Sequence, residues 1–114
     1  MIIIKFNFKR AFSFRPFIGM PKRYEGTIKY GYRMAHEKVH YDRQTNFPIL
    51  WILKYFFIKQ FRKREELLAF EKEIDFKIEK HIYIDKERYI YVLSNQYWNM
   101  MSGEEATAFI EDFI

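Results

Sequence analysis

The sequence predicts a small α+β domain in which two short N-terminal β-strands precede a mainly helical body. Three observations predict it. A length of 114 residues suits one compact domain, read here as strands and loop over 1–32 and helices over 33–114. Ile2, Ile4, Phe6 and Phe8 alternate with polar positions at the period of a half-buried strand, whereas later apolar positions recur every three to four residues. A chain that is 49% apolar and 21% aromatic can also build a core, which excludes disorder.

After the first strand, residues 10–25 lose the period, and Pro16, Gly19, Pro21 and Gly26 mark a loop. Thr27 to Tyr32 reads as the second strand, able to pair with residues 2–8 or to hold an extended peptide along its edge. Arg33 to Thr45 is a polar helix with Met34, Ala35 and Val39 as its few apolar positions. Asn46 as cap and Pro48 as first-turn proline then open an apolar helix to about Lys59.

The apolar stretch 47–58 is far shorter than the roughly 20 residues of a membrane span. Its apolar residues surround the axis, so it reads as a buried core helix rather than an interfacial one, despite Lys59, Arg62, Lys63 and Arg64 behind it. Leu67, Phe70, Ile74 and Ile78 give Arg64 to Lys80 helical spacing, which is favoured over the strand-like alternation of Ile74, Phe76, Ile78, Ile82 and Ile84. Asp85 caps a short helix to Leu93. Trp98, Met100 and Met101 are expected beneath a last helix, opened by the capping box of Ser102 and Glu105 and carrying Ala106, Phe109, Ile110 and Phe113 inward.

The net charge of +5 hides an asymmetry. Residues 1–64 hold fifteen Lys/Arg against Glu25, Glu37 and Asp42, while residues 65–114 hold five against twelve acids. The basic front could meet nucleic acid or an anionic surface. In the apolar run Met1 to Phe8 the basic residues follow rather than precede the hydrophobic stretch, so no secretory signal is read and a cytoplasmic protein is expected. With no cysteine, a metal can be held only by histidine and carboxylate.

His36-Glu37-Lys38-Val39-His40 is an HExxH motif. On a helix the two histidines project from one face and can close on one Zn²⁺, while Glu37 lies beside them as a general base for the metal's water. Such a site needs a third protein ligand. Glu65, Glu66, Glu71 and His81 are the candidates; Glu66 is preferred because Leu67 and Ala69 give it a semi-buried setting, whereas Glu71 and Glu73 are read as a solvated face. A straight helix from 48 to 66 would carry Glu66 about 27 Å from its start, so either the chain bends or breaks near Gln60 to Arg64 or the motif helix crosses its partner well along its length. Among the tyrosines at 30, 32, 41, 83, 89, 91 and 97, Tyr97 is the choice for a hydrogen bond to a developing oxyanion.

Together, Ala35 to His40 with Gln44 close behind, the aromatic-rich helix, the acidic-Ala-aromatic stretch Glu66 to Phe70, and Leu93-Ser94 with Tyr97, Trp98, Met101, Ser102 and Glu104 to Ala106 resemble the small, mostly phage-encoded metallopeptidases of the HExxH class. The resemblance runs from about Gly26 to the end. It implies a zincin-like domain in a bacterial host cell, a zinc ion on His36, His40 and Glu66, Glu37 as general base, and a peptide or protein substrate. Leu68 stands where that family tends to carry a second acid. Two other readings are a basic nucleic-acid-binding regulator, using Lys5, Lys9, Arg10, Arg15, Lys22 and Arg23 on phosphates, and a zinc ion that only staples the fold.

Overall fold

The computed structural model of the chain describes residues 1–7 and 9–113; Phe8, read as the end of the first strand, lies outside them. Strand β1 (Ile2–Phe6) is parallel to β3 (Phe17–Pro21), and β2 (Phe12–Phe14) is antiparallel to β3, giving the order β1-β3-β2. Helices α1 (Ile28–Gln44), α2 (Pro48–Phe57), α3 (Lys59–Glu79), α4 (Lys86–Asn95) and α5 (Gly103–Phe113) follow. The result is an α+β domain with a three-stranded sheet and five α-helices among the described residues.

The expected second strand at Thr27 to Tyr32 is instead the start of α1, and the expected loop at 10–25 holds β2 and β3. The prolines and glycines that read as punctuation have specific places. Pro16 lies in the turn between β2 and β3, and Pro21 ends β3. Gly19 sits opposite Phe12, whose ring occupies the space a Cβ would need, with the nearest ring carbon 2.0 Å away. Local β-propensity of Ile28, Tyr30 and Tyr32 is overridden because Tyr30 and Met34, one helical turn apart, pack with Tyr41 on Ile18, Met20 and Tyr24 of the sheet side. Gly31 allows the same helix to approach α3, since a Cβ there would lie 2.6 Å from the Phe76 ring.

The apolar helix also departs from expectation. It begins with Pro48 at its first turn, but Phe47 rather than Asn46 occupies the capping position. Only Trp51 is buried on α2; Ile49, Leu50, Leu53, Phe56 and Phe57 are exposed, the last by 82%. A helix apolar on all sides is therefore laid on the surface with its Trp51 and Tyr55 side inward, not sunk in the core. The chain breaks at Ile58 (φ −116°, ψ 104°), two residues before the stretch Gln60 to Arg64, and α3 turns back to pack on both α1 and α2.

The main apolar core lies between α3, α4 and α5, where Phe70, Ile74, Leu93, Met100, Ala106 and Ile110 are fully buried. Met101 joins it, but Trp98 is 60% exposed. Both C-terminal helices start as their sequences indicate. Asp85 accepts a hydrogen bond from the Arg88 amide, and the Glu105 amide donates to Ser102 Oγ while the Ser102 amide donates to Glu105 Oε1. No helix among the described residues is long and apolar enough to cross a membrane.

Candidate metal centre

Helix α1 is held between the sheet and α3, and its α3-facing side is polar: His36, Glu37 and His40 are all buried. That explains why apolar period placed only part of this helix; its repeat of three and four is carried by Arg33, His36, Glu37, His40 and Gln44. The facing side of α3 supplies Glu65, Glu66 and Glu73. Pairings run Arg33 to Glu73, His36 to Glu73 and Glu66, His40 to Glu66 and Arg43 to Glu65, so the helices are antiparallel.

The Nε2 atoms of His36 and His40 lie 3.0 Å and 2.9 Å from the same carboxylate oxygen, Glu66 Oε1. Ligand atoms from His36, His40 and Glu66 all fall within 4.8 Å of one another, a buried group able to hold a metal ion. The donor set also passes a test of tautomers. The Nδ1 atoms of both histidines are buried without a hydrogen-bond partner, and His36 Nδ1 faces Glu73 Oε1 at 3.2 Å. If the ring protons sit on Nδ1, His36 turns its N–H toward Glu73 and both Nε2 lone pairs toward one point, the arrangement that an orienting carboxylate imposes on a metal-binding histidine.

Glu66 and Glu73 are seven residues apart, two helical turns, and so share a face. This corrects the reading of Glu73 as solvated: it is 2% exposed, accepts from Arg33 at 2.8 Å and takes the Tyr89 hydroxyl proton's hydrogen bond. Glu65 is equally buried, but its carboxylate receives Arg43 and the Trp51 indole at 3.2 Å, away from the histidines. Glu71 is half-buried and His81 is exposed in the turn after α3, and neither belongs to the cluster. Tyr55 donates to Glu66 Oε2 at 2.5 Å and fixes the orientation of that carboxylate. Sequence reasoning gave Glu73, Arg33 and Tyr55 no role; the i+7 spacing from Glu66 and the i−4 spacing from Glu37 were signals for the first two.

The cluster opens into a cavity of about 460 Å³ lined by Glu37, Tyr97, Trp98 and Tyr55, with β2 along one wall. Glu37 lies beside the histidines with Arg33 at 3.7 Å. Burial, reinforced by Glu66, holds the Tyr97 hydroxyl well above the usual tyrosine range, so it stays a neutral hydrogen-bond donor. Gln44, fully buried, ties β2 to α1: its Nε2 donates to the Ser13 carbonyl at 2.9 Å and its Oε1 accepts from the Arg15 amide at 2.7 Å. One side chain thereby aligns the sheet edge with the motif helix.

Burial and Arg33 push the His36 pKa down, but the hydrogen bond to Glu66 and the facing Glu73 carboxylate outweigh them and raise it to about 9. Burial pushes Glu66 and Glu73 up, and the facing histidines more than reverse this, leaving both below the carboxylate range. Without metal, the His36 contribution to stability is therefore complete below its unfolded value of 6.5 and disappears as pH rises through about 9. The carboxylate contribution is present above 4.5 and disappears as pH falls below it. Thermal unfolding in the presence of a chelator should show a maximum between these limits; a midpoint unchanged between pH 6.5 and 9 would contradict the His36 protonation.

No family model, curated protein or solved structure matches this chain.

Proposed function

We propose that the protein is a zinc-dependent metallopeptidase. The observation that carries this reading is the convergence of His36, His40 and Glu66 beside Glu37 on the wall of an open cavity. Two imidazoles and one carboxylate are a donor set of catalytic zinc, which leaves a coordination position for water or substrate. The same set takes Fe(II) in oxygenases; Glu37, a carboxylate next to the ligands rather than one of them, favours hydrolysis because that chemistry requires a proton acceptor there.

In this reading His36, His40 and Glu66 hold the ion, with Glu73 orienting His36 and Tyr55 orienting Glu66. Zinc, when bound, polarises the scissile carbonyl and lowers the pKa of its water toward about 7. Glu37 takes the proton of the attacking water on its carboxylate and passes it to the leaving amine. Arg33, shared between Glu37 and Glu73, keeps the Glu37 carboxylate aimed. Tyr97 donates its hydroxyl hydrogen bond to the carbonyl oxygen as charge develops. The edge strand β2, which lines the cavity, offers the substrate backbone an edge to pair with, a role expected of residues 27–32 from the sequence but closed to them because they are helical.

Purified protein should contain one zinc per chain and cleave an unstructured protein substrate, with both lost in His36→Ala. A chain that retains iron instead, or binds no metal, would overturn the reading. A staple-only zinc would give metal content and chelator-sensitive stability with no hydrolysis.

A further inference from the structure

Beside the metal cavity lies a second cleft, of about 320 Å³, into which Lys9, Arg23, Lys29, Lys77 and Arg88 project. The two cavities share Arg10, Arg33, Gln96 and Tyr97 as a common wall. Among the described residues, only Glu73 and Asp85 bring negative charge to the second cleft, and both are engaged: Glu73 with Arg33, His36 and Tyr89, Asp85 with the α4 amide of Arg88. Among the described residues, Lys9, Lys29, Lys77 and Arg88 have no carboxylate within ion-pair distance.

Lys77 is the most informative member. It is 9% exposed, and its ammonium lies over the rings of Tyr32 and Tyr89, at 4.1 Å and 4.6 Å, instead of against an acid. Its attracting acids, Glu73 and Asp85, lie beyond ion-pair distance and are engaged elsewhere, and crowding the half-desolvated ammonium with Lys29 and Arg33 adds to its cost, so the arrangement makes sense as a receptor for an anion. Burial pushes the Lys77 pKa below the usual lysine range, with Arg33 and Lys29 acting in the same direction against Glu73.

We propose that this cleft binds peptide carboxylates, so that the metal centre cleaves chains carrying acidic residues or a free C-terminus on one side of the scissile bond. The specificity assignment and the choice of a peptide as the carboxylate's carrier rest on the metallopeptidase reading; the binding of carboxylates does not. Continuity with the metal cavity favours a peptide over a nucleic acid. So does the scatter of the other front-half cations: Lys5 is paired with Glu25, and Arg15 lies over the Tyr41 ring, so they do not extend the cleft into a phosphate track.

The test titrates the metal-free chain with tetraglutamate, its C-terminal amide, tetraglutamine amide and a single-stranded oligonucleotide of equal charge at low ionic strength, following heat or amide shifts. Tetraglutamate should bind, weaken as salt is raised, and lose about tenfold in affinity in the exposed double variant Lys29→Ala/Arg88→Ala, whose substitutions leave the core intact. Lys77→Met should weaken binding further where it folds. Loss of binding on amidation would identify the terminal carboxylate as the ligand, and retention the side chains. Equal binding of tetraglutamine amide, which has neither carboxylate, an unchanged affinity in the double variant, or tighter binding of the oligonucleotide would overturn the proposal. Because no metal is present, this result stands apart from whether the loaded chain hydrolyses peptides.

Discussion

Glu37→Gln should leave metal content unchanged and lower kcat by about 10²–10⁴-fold, the usual contribution of a positioned proton acceptor. The amide is nearly isosteric with the carboxylate and can still meet Arg33 through its carbonyl oxygen, so the fold and the cavity wall should persist. What it cannot do is accept a proton. A loss confined to kcat, with KM little altered, is the signature of an interaction used only in the transition state. Activity within a few-fold of the parent would remove Glu37 from the mechanism, while loss of metal would show that it acts on the histidines instead.

Glu66 should give the other large effect, and two substitutions separate its two roles. Glu66→Leu deprives both histidine Nε2 atoms and the Tyr55 hydroxyl of their shared partner in a buried site. Breaking one side of such a cluster costs about 3–5 kcal/mol, so the metal-free variant should unfold at a clearly lower denaturant concentration. Glu66→Gln keeps a hydrogen-bonding oxygen but removes the anionic ligand, so stability should fall less while metal content drops well below one per chain. A Glu66→Gln protein that binds zinc as the parent does would assign the third position elsewhere. The orienting residue gives a graded control, since loss of an outer carboxylate such as Glu73 typically weakens metal binding 10–100-fold.

The α1–α3 interface also shows where stability has been given up. Two antiparallel helices that could bury leucines instead bury His36, His40, Glu66 and Glu73, with Arg33 and Arg43 at the margins. Replacing buried ionic groups by apolar ones is often neutral or stabilising, so this polar seam is better explained by the cluster's chemistry than by the needs of folding. The apolar core between α3, α4 and α5 supplies the support from the other side of α3.

Features set by residues within about one helical turn were legible in the sequence. The two motif histidines lie four apart on α1, Pro48 opens α2, Asp85 caps α4, and Ser102 with Glu105 opens α5, because each depends on neighbours that the chain itself places in reach. The local setting of Glu66 points to it as the third donor, and the chain break falls at Ile58 rather than at Gln60 to Arg64. Three things could be decided only by packing. Residues 12–21 become strands because β3 receives β1 on one side and β2 on the other; Ile28 to Tyr32 become helix because Tyr30 meets the sheet-side cluster around Ile18, Met20 and Tyr24; α2 stays at the surface because α3 folds back beneath one side of it. Periodicity tells which residues share a face of their own element, but the partner that covers that face comes from elsewhere in the chain, and for His36 it is Glu66 and Glu73, two turns apart on α3, that complete the centre.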